Sequence, residues 1–212
     1  MGRFPEDSSF AEADLDSNPS SQFAKWLREA IERELLFPNS MTLATCTPDG
    51  RPSARIVLLK GIDRRGFIFY TNYESRKGGE LAANPHAALV FLWAEMQRQV
   101  RVTGTVSPVS SGESDAYFKS RPRGSRLGAW ASRQSEVIPR RADLEASVEE
   151  LDRVYEDRDI PRPPFWGGYV LDPVEIEFWQ GRADRLHDRF RYRPATQGAW
   201  AHGAWTIERL SP

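Results

Sequence analysis

The stretch MTLATCTPDGRPSARIVLLK, residues 41–60, sets the fold class. Met41 to Thr47 alternates in polarity, Pro48-Asp49-Gly50 is a turn signal, and residues 53–60 return carrying Ile56, Val57, Leu58 and Leu59. Such a pattern is a β-hairpin. Four consecutive apolar residues in the return run predict a strand buried on both faces. Downstream, Asp63-Arg64-Arg65-Gly66 makes the next turn and residues 67–72 the next strand. A short helix is expected over 75–83, closed by Asn84-Pro85, followed by strands over 87–93 and 97–106. The middle third reads as helices over 113–120, 125–131 and 141–155, ended by the Pro-rich stretch 160–164. Strands over 168–171, 175–180, 186–192 and 204–210 finish the chain. Upstream, Asn18-Pro19 pairs an N-cap with a proline at the first helical position, and Phe23, Leu27, Ile31 and Leu35 form an apolar stripe beside Trp26 and Ala30. Residues 1–17 read as a mobile acidic arm and 18–212 as one domain. The expected class is mainly β with attached helices (α+β), a β-barrel.

Composition narrows the function. The chain has 212 residues, 40% hydrophobic and 28% charged, with a formal net charge of -1. That balance gives no global attraction to nucleic acid or an anionic membrane, so any anion site must be a local cluster of Arg and Lys. Cys46 is the single cysteine, which excludes an intramolecular disulfide. The acidic N-terminus has no apolar run of the signal-peptide kind, and no stretch approaches a membrane span, so the cytoplasm is the expected location. Three separated histidines, His86, His187 and His202, argue against a zinc site. There is no Walker or Rossmann loop and no nucleophile elbow, so an enzyme of this kind would borrow its chemistry from a cofactor.

Four basic clusters remain. Arg55 and Lys60 bracket RIVLLK, where charges can simply reach solvent from strand ends. Ser75-Arg76-Lys77-Gly78 opens a helix, where free N–H groups, a hydroxyl and two cations suit an anion. Tyr117, Arg121, Arg123, Ser125 and Arg126 combine hydroxyls with guanidinium groups, a set that suits phosphate, although a solvated helix face is the alternative. Arg182, Arg185, His187, Asp188 and Arg189 follow Trp179. In a strand, Arg185, His187 and Arg189 would share one face, a concentration of charge that a ligand would neutralise. Trp93, Trp130, Trp166 and Trp179 read as core aromatics, and Cys46 as a small buried hydrophobe. Residues 195–203 read as a loop.

At these clusters the sequence resembles the pyridoxamine 5'-phosphate oxidase family. The resemblance rests on RIVLLKG at 55–61, FYTNYESRKG at 69–78, RQVRVTG at 98–104, YFKSRPRGSRLGAWASRQS at 117–135, FWGGY at 165–169 and IEFWQGRADRLHDR at 176–189. It implies an FMN-binding split β-barrel and a homodimer with FMN at the subunit interface. Carried over by motif, the FMN contacts are Arg55, Ile56, Val57, Leu58, Leu59, Lys60, Tyr70, Thr71, Arg76, Lys77, Gln99, Gln134, Ser135, Trp179 and Arg189, with Arg76 and Lys77 on the phosphate. The implied substrate contacts are Lys60, Tyr117, Arg121, Ser125, Arg185, Leu186 and His187, with Arg185 and His187 as the catalytic pair at the reacting carbon. The implied reaction is oxidation of pyridoxine or pyridoxamine 5'-phosphate to pyridoxal 5'-phosphate, with dioxygen as acceptor and hydrogen peroxide as product. Sister split-barrel proteins that oxidise phenazine precursors or use a deazaflavin, and a non-catalytic carrier of the product, are the competing expectations. The N-terminal arm holds Arg3, Phe4 and Phe10 but lacks the Tyr found in relatives whose arm covers the site, and is left out of it.

Overall fold

The computed structural model describes residues 9–195, 200 and 203–212. It opens with α1 (Pro19–Glu32), whose N-cap Asn18 accepts a hydrogen bond from Ser20 N at 2.8 Å with proline in the first turn. The hairpin follows as β1 (Ser40–Cys46) and β2 (Pro52–Leu58), paired in antiparallel register from Ser40↔Leu58 to Cys46↔Pro52. Its turn closes with Thr47 N to Arg51 O at 3.0 Å, and Gly50 takes a φ of 88° that side chains rarely adopt. Then come β3 (Gly61–Asp63), β4 (Gly66–Asn72), α2 (Arg76–Ala83), β5 (His86–Trp93) and β6 (Arg98–Pro108). Three helices, α3 (Ser111–Ser120), α4 (Arg123–Ala131) and α5 (Arg141–Val154), precede β7 (Trp166–Gln180), β8 (Asp188–Pro194) and β9 (Trp205–Arg209).

The strands form one antiparallel sheet in the order β2-β1-β5-β6-β7-β4-β3, with β8 on β7 and β9 on β8. The sheet divides at β7. That strand pairs with β6 along its length, while its other edge takes β4 at residues 166–171 and β8 at residues 176–180. Pro173 lies between the two partners, and β6 shifts register opposite it between Thr103 and Gly104. A Cβ on Gly104 would sit 2.1 Å from Asp172 O, so only glycine lets the strands meet there. The two short strands expected over 168–171 and 175–180 are therefore one long strand with a bulge.

Residues paired directly across antiparallel strands share a face. Met41, Leu43, Leu89, Phe91, Val100, Val102, Ile176, Phe178, Phe190 and Tyr192 lie on the core face, all at most 1% exposed. Helix α1 covers that face: Phe23 meets Phe67 and Phe91 at centroid distances of 5.1 and 4.7 Å, and Trp26 meets Phe178 edge-on at 5.2 Å. The buried side of α1 is Pro19, Gln22, Phe23, Trp26 and Ala30; Phe23, Trp26 and Ala30 are as expected, Leu27 and Leu35 are half-buried against the core, and only Ile31, 55% exposed, leaves the expected stripe. A strict four-residue step advances past the 3.6-residue turn and carries Ile31 off the core. A second apolar cluster joins Phe118, Leu127, Ile160 and Trp166 beneath α3, α4 and α5.

Other expectations are corrected. Strand β2 is not buried on both sides: it is an edge strand with alternating exposure, Ile56 at 65% and Leu58 at 38%. The last part of the expected mobile arm is packed. Phe10 is buried between Trp26 and Phe190, and its N–H donates to Asp188 Oδ2 at 3.1 Å. Glu12 pairs with Arg209, and Asp16 O accepts from Tyr192 Oη at 2.9 Å. Arg3 and Phe4 lie outside the described residues, as does most of the expected loop 195–203. Within that loop, Trp200 is buried and donates from Nε1 to Asp63 O at 2.7 Å.

Candidate active site

A cleft of about 740 Å³ opens beside the exposed edge of β2, between the end of β4, the start of α2 and helices α3 and α4. Arg55, Ile56, Val57, Leu58, Lys60, Tyr70, Thr71, Lys77, Tyr117, Arg121, Ser125 and Gln134 all line it, so three of the four basic clusters converge here. Trp166, read from sequence as core, also forms part of its wall.

One station lies at the N-terminus of α2. Ser75 caps the helix by accepting from Gly78 N, and a Cβ on Gly78 would fall 2.1 Å from Tyr73 O, so glycine lets the first turn pack against the preceding chain. Lys77 is 8% exposed, and its Nζ donates to three neutral oxygens: Thr71 Oγ1, Ser75 Oγ and Gln134 Oε1, at 3.1, 3.1 and 2.6 Å. Burial, aided by the charge of Arg55 and opposed by Glu80, pulls the Lys77 ammonium down to about 8. Arg76 is exposed, donates its N–H to Ser135 Oγ and ties its Nε to Glu80 at 2.9 Å. A desolvated cation with neutral partners, at a helix N-terminus, is a ready place for an anion.

The other station is built on stacked rings. Tyr70 and Tyr117 stack at 3.9 Å, and Tyr117 and Trp166 lie nearly parallel at 6.2 Å. Lys60 Nζ is 5.9 Å from the Tyr117 ring centre, and the Arg121 guanidinium is 4.7 Å from that of Trp166. Arg121 Nη1 is buried with no hydrogen-bond partner among the described residues. Burial pulls the Arg121 pKa below its ordinary value, with Tyr117 opposing. A buried guanidinium with an unmet donor calls for an acceptor supplied from outside the chain.

The remaining expected residues lie elsewhere. Leu59 is a core residue. Gln99, Trp179 and Arg189 are neighbours in register on the sheet face opposite the core. Trp179 packs against His187 at 4.6 Å, and Arg189 donates from Nε to Glu177 at 2.8 Å and from Nη1 to Ser211 O. Arg185 and His187 do not continue β8. Asp184 and Arg185 take φ values of 56° and 62°, which turns the chain, and His187 Nδ1 accepts from Arg182 N at 3.1 Å to close the loop. The expected shared face of Arg185, His187 and Arg189 is therefore replaced by a turn leading into a strand. Leu186 and His187 border a second, smaller groove with the C-terminal residues 209–212. The face bearing Gln99, Trp179 and Arg189 also carries Ile56 and Leu92, and both of these are more than 60% exposed.

Comparison with known proteins matches residues 27–155 to the family described as pyridoxamine 5'-phosphate oxidase, and residues 166–212 to the pyridoxine 5'-phosphate oxidase C-terminal dimerisation region. A pyridoxine/pyridoxamine 5'-phosphate oxidase of Cyanothece sp. is 59% identical over 96% of this chain and 93% of its own. The protein of that name in Paraburkholderia phymatum is 60% identical over 94% of this chain and 92% of its own. Among solved structures, PhzG from Burkholderia lata 383, in complex with tetrahydrophenazine-1-carboxylic acid, superposes with a TM-score of 0.88. It is 35% identical, and the match covers 97% of this chain and 98% of that one. An FMN-binding protein from Nostoc punctiforme, 20% identical with a TM-score of 0.71 over 93% of this chain and all of that one, shares the fold.

Proposed function

The chain belongs to the pyridoxine/pyridoxamine 5'-phosphate oxidase family, and from that premise we propose that it oxidises pyridoxine 5'-phosphate and pyridoxamine 5'-phosphate to pyridoxal 5'-phosphate. Dioxygen is the terminal acceptor and leaves as hydrogen peroxide; the amine also consumes water and releases ammonia. The observation that carries this reading is the pair of separate cationic stations in one cleft, which suits two phosphates, that of a cofactor and that of a substrate.

The residues present fit FMN. Lys77 and Arg76 at the start of α2 would hold its phosphate, and Arg55, Tyr70, Thr71, Gln134 and Ser135 stand around them. When bound, FMN supplies the two-electron acceptor that amino-acid side chains lack. The unmet Nη1 of Arg121, with Lys60, Tyr117 and Ser125, would take the substrate phosphate and fix the ring far from its anchor. Because Nδ1 of His187 accepts from Arg182 N, a neutral His187 carries its proton on Nε2. Arg185, 62° in φ and exposed, offers a guanidinium beside it. We assign these two to the reacting carbon, where they orient the substrate, together with Leu186.

A homodimer is supported by the match of residues 166–212 to a dimerisation region. The second group, Gln99, Trp179, Arg185, Leu186, His187 and Arg189, would then reach the cleft of the partner subunit across the exposed sheet face.

The test is an assay of FMN-loaded protein in air, following pyridoxal 5'-phosphate and hydrogen peroxide together. Equal appearance of both from either phosphate ester is expected. A second reading, oxidation of a reduced phenazine, is favoured by the likeness to PhzG. Turnover of that substrate, with none of the vitamin B6 phosphates, would replace the proposal.

A further inference from the structure

The phosphate station contains an acid that none of the motif matches includes. Glu80, on the last turns of α2, is only 6% exposed and faces back toward the helix N-terminus. Its Oε2 accepts from Thr45 Oγ1 at 2.5 Å, Ser53 Oγ at 2.5 Å and Arg55 Nη2 at 3.3 Å, and its Oε1 accepts from Arg76 Nε at 2.9 Å. Arg55 in turn donates to both hydroxyls, to Thr45 Oγ1 at 2.6 Å and Ser53 Oγ at 2.5 Å. Each hydroxyl therefore accepts from the guanidinium and donates to the carboxylate, which fixes its proton and locks Arg55 in place. One carboxylate thus ties β1, β2 and the start of α2 together beside the station.

We propose that Glu80 is the positioning residue that matches this station to a phosphate dianion. Resting on the reading of the cleft as an FMN site, the inference has two parts. The first is charge. Arg55, Arg76 and Lys77 bring three positive charges and Glu80 removes one, leaving two to meet the roughly two negative charges of a phosphate monoester. The second is geometry. Long cationic side chains lose rotamer freedom when they bind an anion, and Glu80 has already ordered Arg55 and Arg76. Burial alone would raise the Glu80 pKa, but hydrogen bonds from Ser53, Thr45 and Arg76 and the charge of Arg55 hold it at about 2, so it is ionised at neutral pH.

The experiment titrates the full-length, flavin-free protein with FMN and with riboflavin, following flavin fluorescence. Riboflavin has the same ring and side-chain carbons but no phosphate. Wild type should prefer FMN. Glu80→Gln should weaken FMN about tenfold, because the lost ordering of Arg55 and Arg76 outweighs the pull of the added net positive charge, while riboflavin moves by less than about twofold. An unchanged FMN-to-riboflavin ratio, equal weakening of both, or tighter FMN binding would each overturn the inference while leaving the FMN site standing. A wild type that binds both flavins alike would overturn the reading of the station itself. Ser53→Ala, at a half-buried position, gives a second measurement should Glu80→Gln fail to fold. It should weaken FMN selectively by about threefold, and no change in the FMN constant would count against the role of Glu80.

Discussion

Arg121 shows how a single side chain can announce a ligand. Its Nη1 is buried with no hydrogen-bond partner among the described residues while Trp166 holds the guanidinium plane, an arrangement that costs free energy until an acceptor arrives. Arg121→Ala and Lys60→Ala should each raise KM for the phosphorylated substrate about 10- to 100-fold, with a smaller effect on FMN content. Steady-state kinetics on loaded protein measures this, and unchanged KM in both variants would remove them from the substrate phosphate. Lys77 gives a pH signature. In flavin-free protein it holds its proton below about 8 and loses it above, whereas an unfolded lysine keeps it to about 10.4. Between those values the unfolded chain binds more protons, so this group makes the flavin-free fold more stable as pH rises. FMN affinity should run the other way, falling above pH 8 as the cation disappears. Denaturant titration and flavin fluorescence across that window should show opposite slopes, and a flat FMN affinity would separate Lys77 from the phosphate.

At the scale of elements, the N-terminal segment is the clearest lesson. Its acidity suggested a free arm, yet Phe10 fills a place between Trp26 and Phe190, and Asp188 takes its N–H. Phe10→Ala should destabilise the fold by about 3 kcal/mol, read from a denaturant midpoint; a loss below about 1 kcal/mol would mean the segment is undocked in solution. Local chemistry made much else legible: the Asn18-Pro19 cap, the turn at Gly50 and the helix from Ser75 all depend on neighbours in sequence. What stayed hidden depends on distant partners. Ile56 and Leu58 read as core because nothing in RIVLLK says that β2 lies at a sheet edge. Trp166 is core as it reads, but its second place, beside Arg121 at the cleft wall, needs α3 to lie against β7. Arg185 and His187 have strand spacing, and only the left-handed conformations at Asp184 and Arg185 break it. Glu80 escaped notice because a lone acid in a helix looks like solvated surface until Thr45, Ser53 and Arg55 are brought around it.

Across the whole molecule, the expected site residues other than the core residue Leu59 fall into two groups: the cleft at β2 and the opposite sheet face with its adjoining loop. If each cleft is completed by the partner subunit, Lys60→Ala and His187→Ala chains should rescue one another. A mixed dimer would hold one cleft with both groups intact, so, assayed at substrate well below the KM of either variant, a random mixture of the two crippled variants should recover about a quarter of wild-type activity. Activity no greater than that of the separate variants would confine each site to one chain. The long strand β7 also bears on how such a protein can be taken apart. The region matched for dimerisation begins at Trp166, the first residue of β7, so the join between the two matched regions resembles a border between modules. It is instead a seam sewn through the sheet, since β7 supplies the ladder partner for β4, β6 and β8 alike. Cutting there would strip β4 and β6 of an edge rather than free a monomer, and the two fragments would regain shape only by finding each other, as the halves of a split reporter do.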